Sequence, residues 1–143
     1  MPPRYAGKKS RTIEGFIDDG GVRIYYKTLG KGVPLLLLHG GPGADHTDFL
    51  PALKPLARRC QLVLIDERGS GRSERLSDPK CYTLDWMVKD IECVRQHLRL
   101  RQLLVLGHSF GGILAQAYAV RYPKRVLGLI LAGTGSSAAT KPN

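Results

Sequence analysis

Four short runs of the chain are apolar without interruption: Leu35–Leu38, Leu62–Ile65, Leu103–Leu106 and Val126–Leu131. A strand with one wet face alternates apolar and polar side chains, so an unbroken run marks a strand covered on both faces. Segments of helical spacing lie between these runs. The clearest is Leu84–Leu98, where Leu84, Met87, Val88, Ile91, Val94 and Leu98 form one apolar stripe behind Thr83, a fair N-cap. A second carries Ile113, Leu114, Ala117 and Tyr118 on one side and must end near Tyr122, because Pro123 restricts the residue before it. Thr47–Arg59 reads as a short helix in which Pro51 is tolerable and Pro55 introduces a kink. Ahead of these, Thr12–Ile17 and Val22–Thr28 flank the turn signal Asp18-Asp19-Gly20-Gly21 and read as a hairpin. Strands alternating with helices predict an α/β fold, a mostly parallel sheet with helices on both faces.

The 143 residues suffice for one domain with a real core. The formal charge of +10 raises the question of nucleic acid or an anionic membrane. The basic residues are scattered, however: Lys8, Lys9 and Arg11 in a tail, Arg58 and Arg59 after one helix, Arg95, Arg99 and Arg101 around another, Lys124 and Arg125 after a proline. Aromatic interleaving and any nucleic-acid module are missing, so neither a nucleic-acid nor a membrane partner is expected. No apolar run approaches the length of a membrane span. Residues 1–11 read as a disordered basic arm, and residues 1–12 lack the apolar stretch of a cleavable signal. Cys60, Cys81 and Cys93 are odd in number and widely spaced, which predicts reduced thiols and a cytoplasmic location, with no metal site among them.

Three glycine-rich segments each follow an apolar strand: His39-Gly40-Gly41-Pro42-Gly43, Asp66-Glu67-Arg68-Gly69-Ser70-Gly71-Arg72-Ser73, and Gly107-His108-Ser109-Phe110-Gly111-Gly112. In an open α/β sheet, sites form at the carboxyl ends of strands, so all three are expected to converge on one crevice. Gly-x-Ser-x-Gly between a strand and a helix places Ser109 on a sharp elbow with its hydroxyl projecting, the position of a serine nucleophile. Gly107 and Gly111 flank it because a Cβ would crowd the strand–helix crossing. The Phe110 N–H lies at a helix N-terminus and suits a developing oxyanion. A second donor is needed opposite it, and Gly41 is the best candidate. His39, Gly40, Pro42 and Gly43 would support that loop. Asp66 has Arg68 or Arg72 as a partner and braces the crevice wall. The glycines match neither a Walker A loop nor Gly-x-Gly-x-x-Gly, which sets nucleotide binding aside, and no metal or cofactor is implied.

The histidines do not complete the site. His108 adjoins Ser109, but sequence neighbours point in different directions. His39 is expected to order its own loop, His46 to lie in a loop, and His97 on a helix surface. An order of His46, Asp66 and Ser109 imitates other catalytic triads, but the strand–elbow–helix context argues against it. From Phe110 to Asn143 the chain has no Asp, Glu or His.

Asp-x-Arg-Gly-x-Gly-x-Ser and Gly-His-Ser-Phe-Gly-Gly resemble the α/β-hydrolase superfamily, and His-Gly-Gly-Pro-Gly resembles its proline iminopeptidase group. The match runs from about Thr12 to Thr134, the N-terminal half of a family member. The resemblance implies a fold truncated before the cap and the last strands, with 12–134 as the first part of the hydrolase domain and 135–143 as the start of the cap or a linker. It implies Ser109 as nucleophile, Gly41 and Phe110 as the oxyanion hole, and small esters, amides or short peptides as substrates. The family's acid and His come from its second half. Many proline iminopeptidases carry Gln at the position of Glu67 and Trp at that of Phe110. A chain of this extent is expected to be catalytically incomplete or a binding protein, and to self-associate through the apolar edge at Val126–Leu131.

Overall fold

The computed structural model describes residues 11–41 and 43–136. The arm over residues 1–10, Pro42 and most of the 135–143 linker lie outside the described residues.

The chain opens with a hairpin, β1 (Ile13–Asp19) and β2 (Val22–Leu29). Gly20 and Gly21 have φ of 61° and 91°, the two positive values that a tight hairpin turn needs, and the Gly21 N–H donates to Asp18 Oδ1. The parallel strands follow: β3 (Val33–Leu38), β4 (Cys60–Ile65), β5 (Leu103–His108) and β6 (Val126–Ala132). The six strands form one sheet in the order β1-β2-β4-β3-β5-β6. β1 and β2 pair antiparallel, β2 meets β4 antiparallel, and every pairing beyond β4 is parallel.

The period of two along each strand divides the core. Leu36, Leu38, Val63, Ile65, Leu103 and Val105 face one side, against α2 (Leu84–His97) and α3 (Phe110–Arg121). Leu35, Leu37, Leu62 and Leu64 face the other, against Phe49, Leu50, Leu53 and Ala57. The central strands β3, β4 and β5 are therefore covered on both faces, as the apolar runs predict. The segment expected as one helix over Thr47–Arg59 is instead three short turns: a 3-10 turn at His46–Phe49, the single α turn α1 (Leu50–Leu53), and a 3-10 turn at Lys54–Arg58. Pro51 and Pro55 each remove an N–H, so no long i→i−4 ladder can form.

The unbroken run Val126–Leu131 alone reads as a buried strand, whereas the resemblance implies an apolar edge there, and the structure has the edge. As the outermost strand, β6 leaves Leu127, Leu129, Ile130 and Leu131 about half exposed, at 52%, 39%, 47% and 44%. Its apolar residues stay exposed because it is the outermost strand and α3 packs against only part of it.

Helix α2 begins as expected, with the Thr83 hydroxyl accepting from Trp86 N–H, and buries Val88, Ile91 and Val94. It also buries charge. The Glu92 carboxylate is bound by the Arg95 guanidinium and by the Tyr118 hydroxyl of α3 at 2.7 Å, while Arg95 Nη1 donates to Leu100 O at 2.6 Å. Burial first, and the Glu92 contact second, push the Tyr118 hydroxyl well above its ordinary pKa, so it stays a donor. This network locks α2 to α3. Replacing Glu92 by Ala strands the Arg95 charge and is expected to cost about 3–5 kcal/mol, whereas Tyr118→Phe keeps the ion pair and should cost about 1–2 kcal/mol. Urea unfolding of the two variants checks the order, and equal losses would show that the ion pair inside α2 adds nothing beyond the Tyr118 hydrogen bond that joins the helices.

Candidate active site

Ser109 stands between β5 and α3 with φ 54° and ψ −121°, a left-handed backbone unfavourable for any residue with a Cβ. The surrounding chain holds it there. Its N–H donates to Ala132 O at 3.0 Å, and its carbonyl accepts from Gly112 N–H at 2.9 Å and from the Thr134 hydroxyl at 2.6 Å. The elbow is thus clamped by its own helix and by the end of β6. The sequence reading missed Thr134; its only signal is a hydroxyl two residues past the end of an apolar strand.

The glycines around Ser109 are a matter of contact distance. A Cβ on Gly107 would lie 2.3 Å from Gly111 O, and one on Gly111 would lie 2.1 Å from Leu38 O and 2.6 Å from His39 O. One on Gly112 would meet the Thr134 side chain at 2.4 Å. The first turn of α3 therefore sits directly on the backbone of β3 and β5. Phe110 is the first residue of α3, where N–H groups have no intrahelical acceptor.

The loop after β3 meets this elbow. A Cβ on Gly40 would come within 3.3 Å of the Ser109 Cβ and 3.5 Å of His108 Nδ1. Gly41 is exposed, with nothing within 4 Å of a Cβ built on it, and Gly43 is exposed with φ 90°. Beneath them His39 is buried at 1% exposure, and its Nδ1 lies 2.5 Å from Gly40 O and 2.7 Å from Glu67 Oε2. The Glu67 N–H donates to His39 Nε2 at 3.0 Å. The loop after β3 thus meets both the loop after β4 and the elbow after β5.

Asp66 behaves differently from expectation. Neither arginine side chain pairs with it. Asp66 Oδ1 accepts from both the N–H and the Nδ1 of His46, at 2.8 and 2.7 Å, and Oδ2 accepts from the Arg72 backbone N–H at 2.9 Å. The guanidinium of Arg68 turns to α2 instead, with Nε and Nη2 each 2.7 Å from an Asp90 oxygen. His46 is therefore a buried member of a His–Asp pair at the start of a helical turn. Periodicity cannot reveal such a pair, because the two residues meet only across neighbouring loops.

This pair does not serve Ser109. Asp66 follows β4 and Ser109 follows β5, and β3 runs between those strands, so the two lie about two strand spacings, or 9–10 Å, apart. The His46 ring lies on the β2 side of Asp66, tilted against Tyr25 of β2 with centroids 5.0 Å apart. Asp45, His46 and Asp66 bring three ligand-type atoms within 4.8 Å of one another. Those atoms already serve the protein, since Asp45 caps the following turn through Thr47 and both Asp66 oxygens are occupied. Among the described residues no His or carboxylate is hydrogen-bonded to the Ser109 hydroxyl. His108 is exposed, and His97 ends α2 at the surface with its Nε2 3.1 Å from the Tyr26 hydroxyl.

Two glycine substitutions separate close packing from open space. Gly111→Ala is expected to destabilise the fold by about 3 kcal/mol or more, because backbone oxygen cannot yield. Gly41→Ala should stay within about 0.5 kcal/mol, because its Cβ meets nothing. Thermal melts of both decide it, and a tolerated Gly111→Ala would contradict the packing described.

The chain is similar to known proteins in sequence and in fold. The proline iminopeptidase of Lactobacillus helveticus is 40% identical over 133 residues, which cover 88% of this chain and 45% of that protein. A proline iminopeptidase-related protein of Thermus thermophilus superposes with a TM-score of 0.81 at 31% identity, over 87% of this chain and 45% of that one. An esterase of Exiguobacterium antarcticum does so with a TM-score of 0.80 at 32% identity, over 87% and 46%. The chain thus spans about half the length of the relatives it matches. All three free cysteines are unpaired, and among the described residues no helix is long and apolar enough to cross a membrane. The family model for the alpha/beta hydrolase fold matches residues 33–143, and with β3, β4, β5 and the Ser109 elbow inside that span the chain belongs to the α/β-hydrolase family.

Proposed function

We propose that this chain carries the nucleophile and oxyanion hole of a serine hydrolase acting on a small amide, ester or short peptide in the manner of a proline iminopeptidase. The observation that carries the reading is the backbone of Ser109, held at φ 54° between a strand and a helix N-terminus. Strain of this kind persists only where surrounding structure maintains it, and it clusters at reacting groups. The Ser109 hydroxyl attacks the substrate carbonyl. The N–H groups of Gly41 and Phe110 receive the developing oxyanion. Collapse of the tetrahedral intermediate expels the amine or alcohol and leaves an acyl-enzyme, which water hydrolyses. Small hydrolase substrates of this type need no cofactor for these steps.

Among the described residues no group is placed as the base for Ser109. His46 is tied to Asp66, His39 to Glu67, and no residue from Phe110 to Asn143 is an Asp, Glu or His. A second reading follows from β6: residues 11–136 form an incomplete catalytic unit whose base arrives with another polypeptide segment. The exposed apolar residues on both faces of β6 favour it, since such an edge is a template for strand pairing.

Treatment with a fluorophosphonate probe, beside a Ser109→Ala control, tests the first reading. Labelling lost in the control is expected wherever a base reaches Ser109. Absence of labelling in folded protein would favour the second reading. Self-association through β6 is tested by sedimentation. The chain is expected to sediment above monomer mass, and Leu129→Lys with Leu131→Lys should shift it to monomer. A wild-type monomer with a cooperative melt would reject association.

A further inference from the structure

We propose that Glu67 is a positioning residue for the oxyanion loop, aiming the Gly41 N–H by holding the His39 ring against the Gly40 carbonyl. The proposal rests on the reading of Gly41 N–H as an oxyanion donor. Gly40 and Gly41 have no side chains to fix their shared peptide plane, and Gly41 is exposed. The plane is set from below. Because the Glu67 N–H donates to His39 Nε2, the ring proton resides on Nδ1. That Nδ1–H faces two acceptors, Gly40 O at 2.5 Å and Glu67 Oε2 at 2.7 Å. The Gly40 carbonyl and the Gly41 N–H belong to one trans peptide and point in opposite directions, so fixing the carbonyl aims the N–H.

Glu67 does this at a cost that plain packing does not require. It is only 6% exposed, and its Oε1 is buried with no hydrogen-bond partner among the described residues. A glutamine would fill the same space without a buried carboxylate. What the carboxylate adds is a charge-assisted hold on the His39 proton. Burial pushes the Glu67 carboxyl above the ordinary range; the His39 contact opposes the shift and Asp66 adds to it. The other ionisable groups around the pair are Asp45 and His46 from the loop after β3, and His108 beside Gly40 from β5.

Nuclear magnetic resonance on the 15N-labelled chain tests the assignment without turnover. In the wild type the Gly41 amide and His39 Nδ1 are expected to shift together with pH, through one midpoint above the usual carboxylate range. Glu67→Gln should abolish that step and hold Gly41 near its wild-type low-pH position. Glu67→Ala should displace or broaden the Gly41 amide at every pH. A step that persists in Glu67→Gln assigns it to His39 itself, Asp45, Asp66, His46 or His108 and overturns the proposal, as does a Gly41 amide unmoved in Glu67→Ala. Where Ser109 labels, Glu67→Ala should slow the probe roughly 10- to 100-fold and Glu67→Gln by less than about threefold. A wild-type Ser109 that does not label removes the serine reading alone and leaves the resonance result to decide for Glu67.

Discussion

The structure depends on how closely the first turn of α3 approaches the strands beneath it. An oxygen of Leu38 lies 2.1 Å from where a Cβ on Gly111 would be, and an oxygen of Gly111 lies 2.3 Å from where one on Gly107 would be. No side chain fits between these backbones. That contact brings the N-terminus of α3 down onto the ends of β3 and β5, and Ser109 must turn through a positive φ to join them. The strain at Ser109 is thus the local expression of a packing requirement, and the tertiary hydrogen bonds from Thr134 and to Ala132 hold it in place.

Outward from that contact, the segment after β3 is braced by two buried acidic side chains from the segment after β4. His39 is held by Glu67, and His46 by Asp66. The Asp66 segment is in turn sewn to β2, where Ser73 Oγ accepts from Tyr25 N–H at 2.9 Å and donates to Asp66 O at 2.6 Å. Arg68 extends the chain of contacts to α2 through Asp90. The loops themselves are rich in glycine and make few apolar contacts, so polar pairs rather than core packing set their shape. Such pairs are sensitive to the loss of one member, because the other is then left buried and unpaired.

How much of this was legible in the residues depends on the range of the interaction. The parallel sheet and the two principal helices follow from periodicity, a local property, and the glycines at 107 and 111 follow from the steric demand of the strand–helix crossing. The helix expected over 47–59 fails because two prolines outweigh the apolar spacing, a competition that pattern alone does not weigh. The pairs His39–Glu67, His46–Asp66 and Glu92–Tyr118 join residues 20 or more apart in the chain, and nothing in either partner's neighbourhood announces the other. Arg68 illustrates the point: a nearby acid in the sequence, Asp66, was the expected partner, and the fold supplied Asp90 instead.

The burial of β6 is the most instructive difference. An unbroken apolar run says that a strand is suited to cover on both faces; it does not say that the covering elements are at hand. β5 and β6 are alike in composition and pair in parallel over their whole length. Yet Val105 is fully buried and Ile130 is 47% exposed. What separates them is position in the sheet: β5 has β3 on its far side and helices above, while the far side of β6 has no strand among the described residues. The elbow depends on this edge, because Ala132 and Thr134 at its end hold the Ser109 backbone. The strained serine thus leans on the least covered strand of the sheet, and order at the end of β6 and order at Ser109 go together.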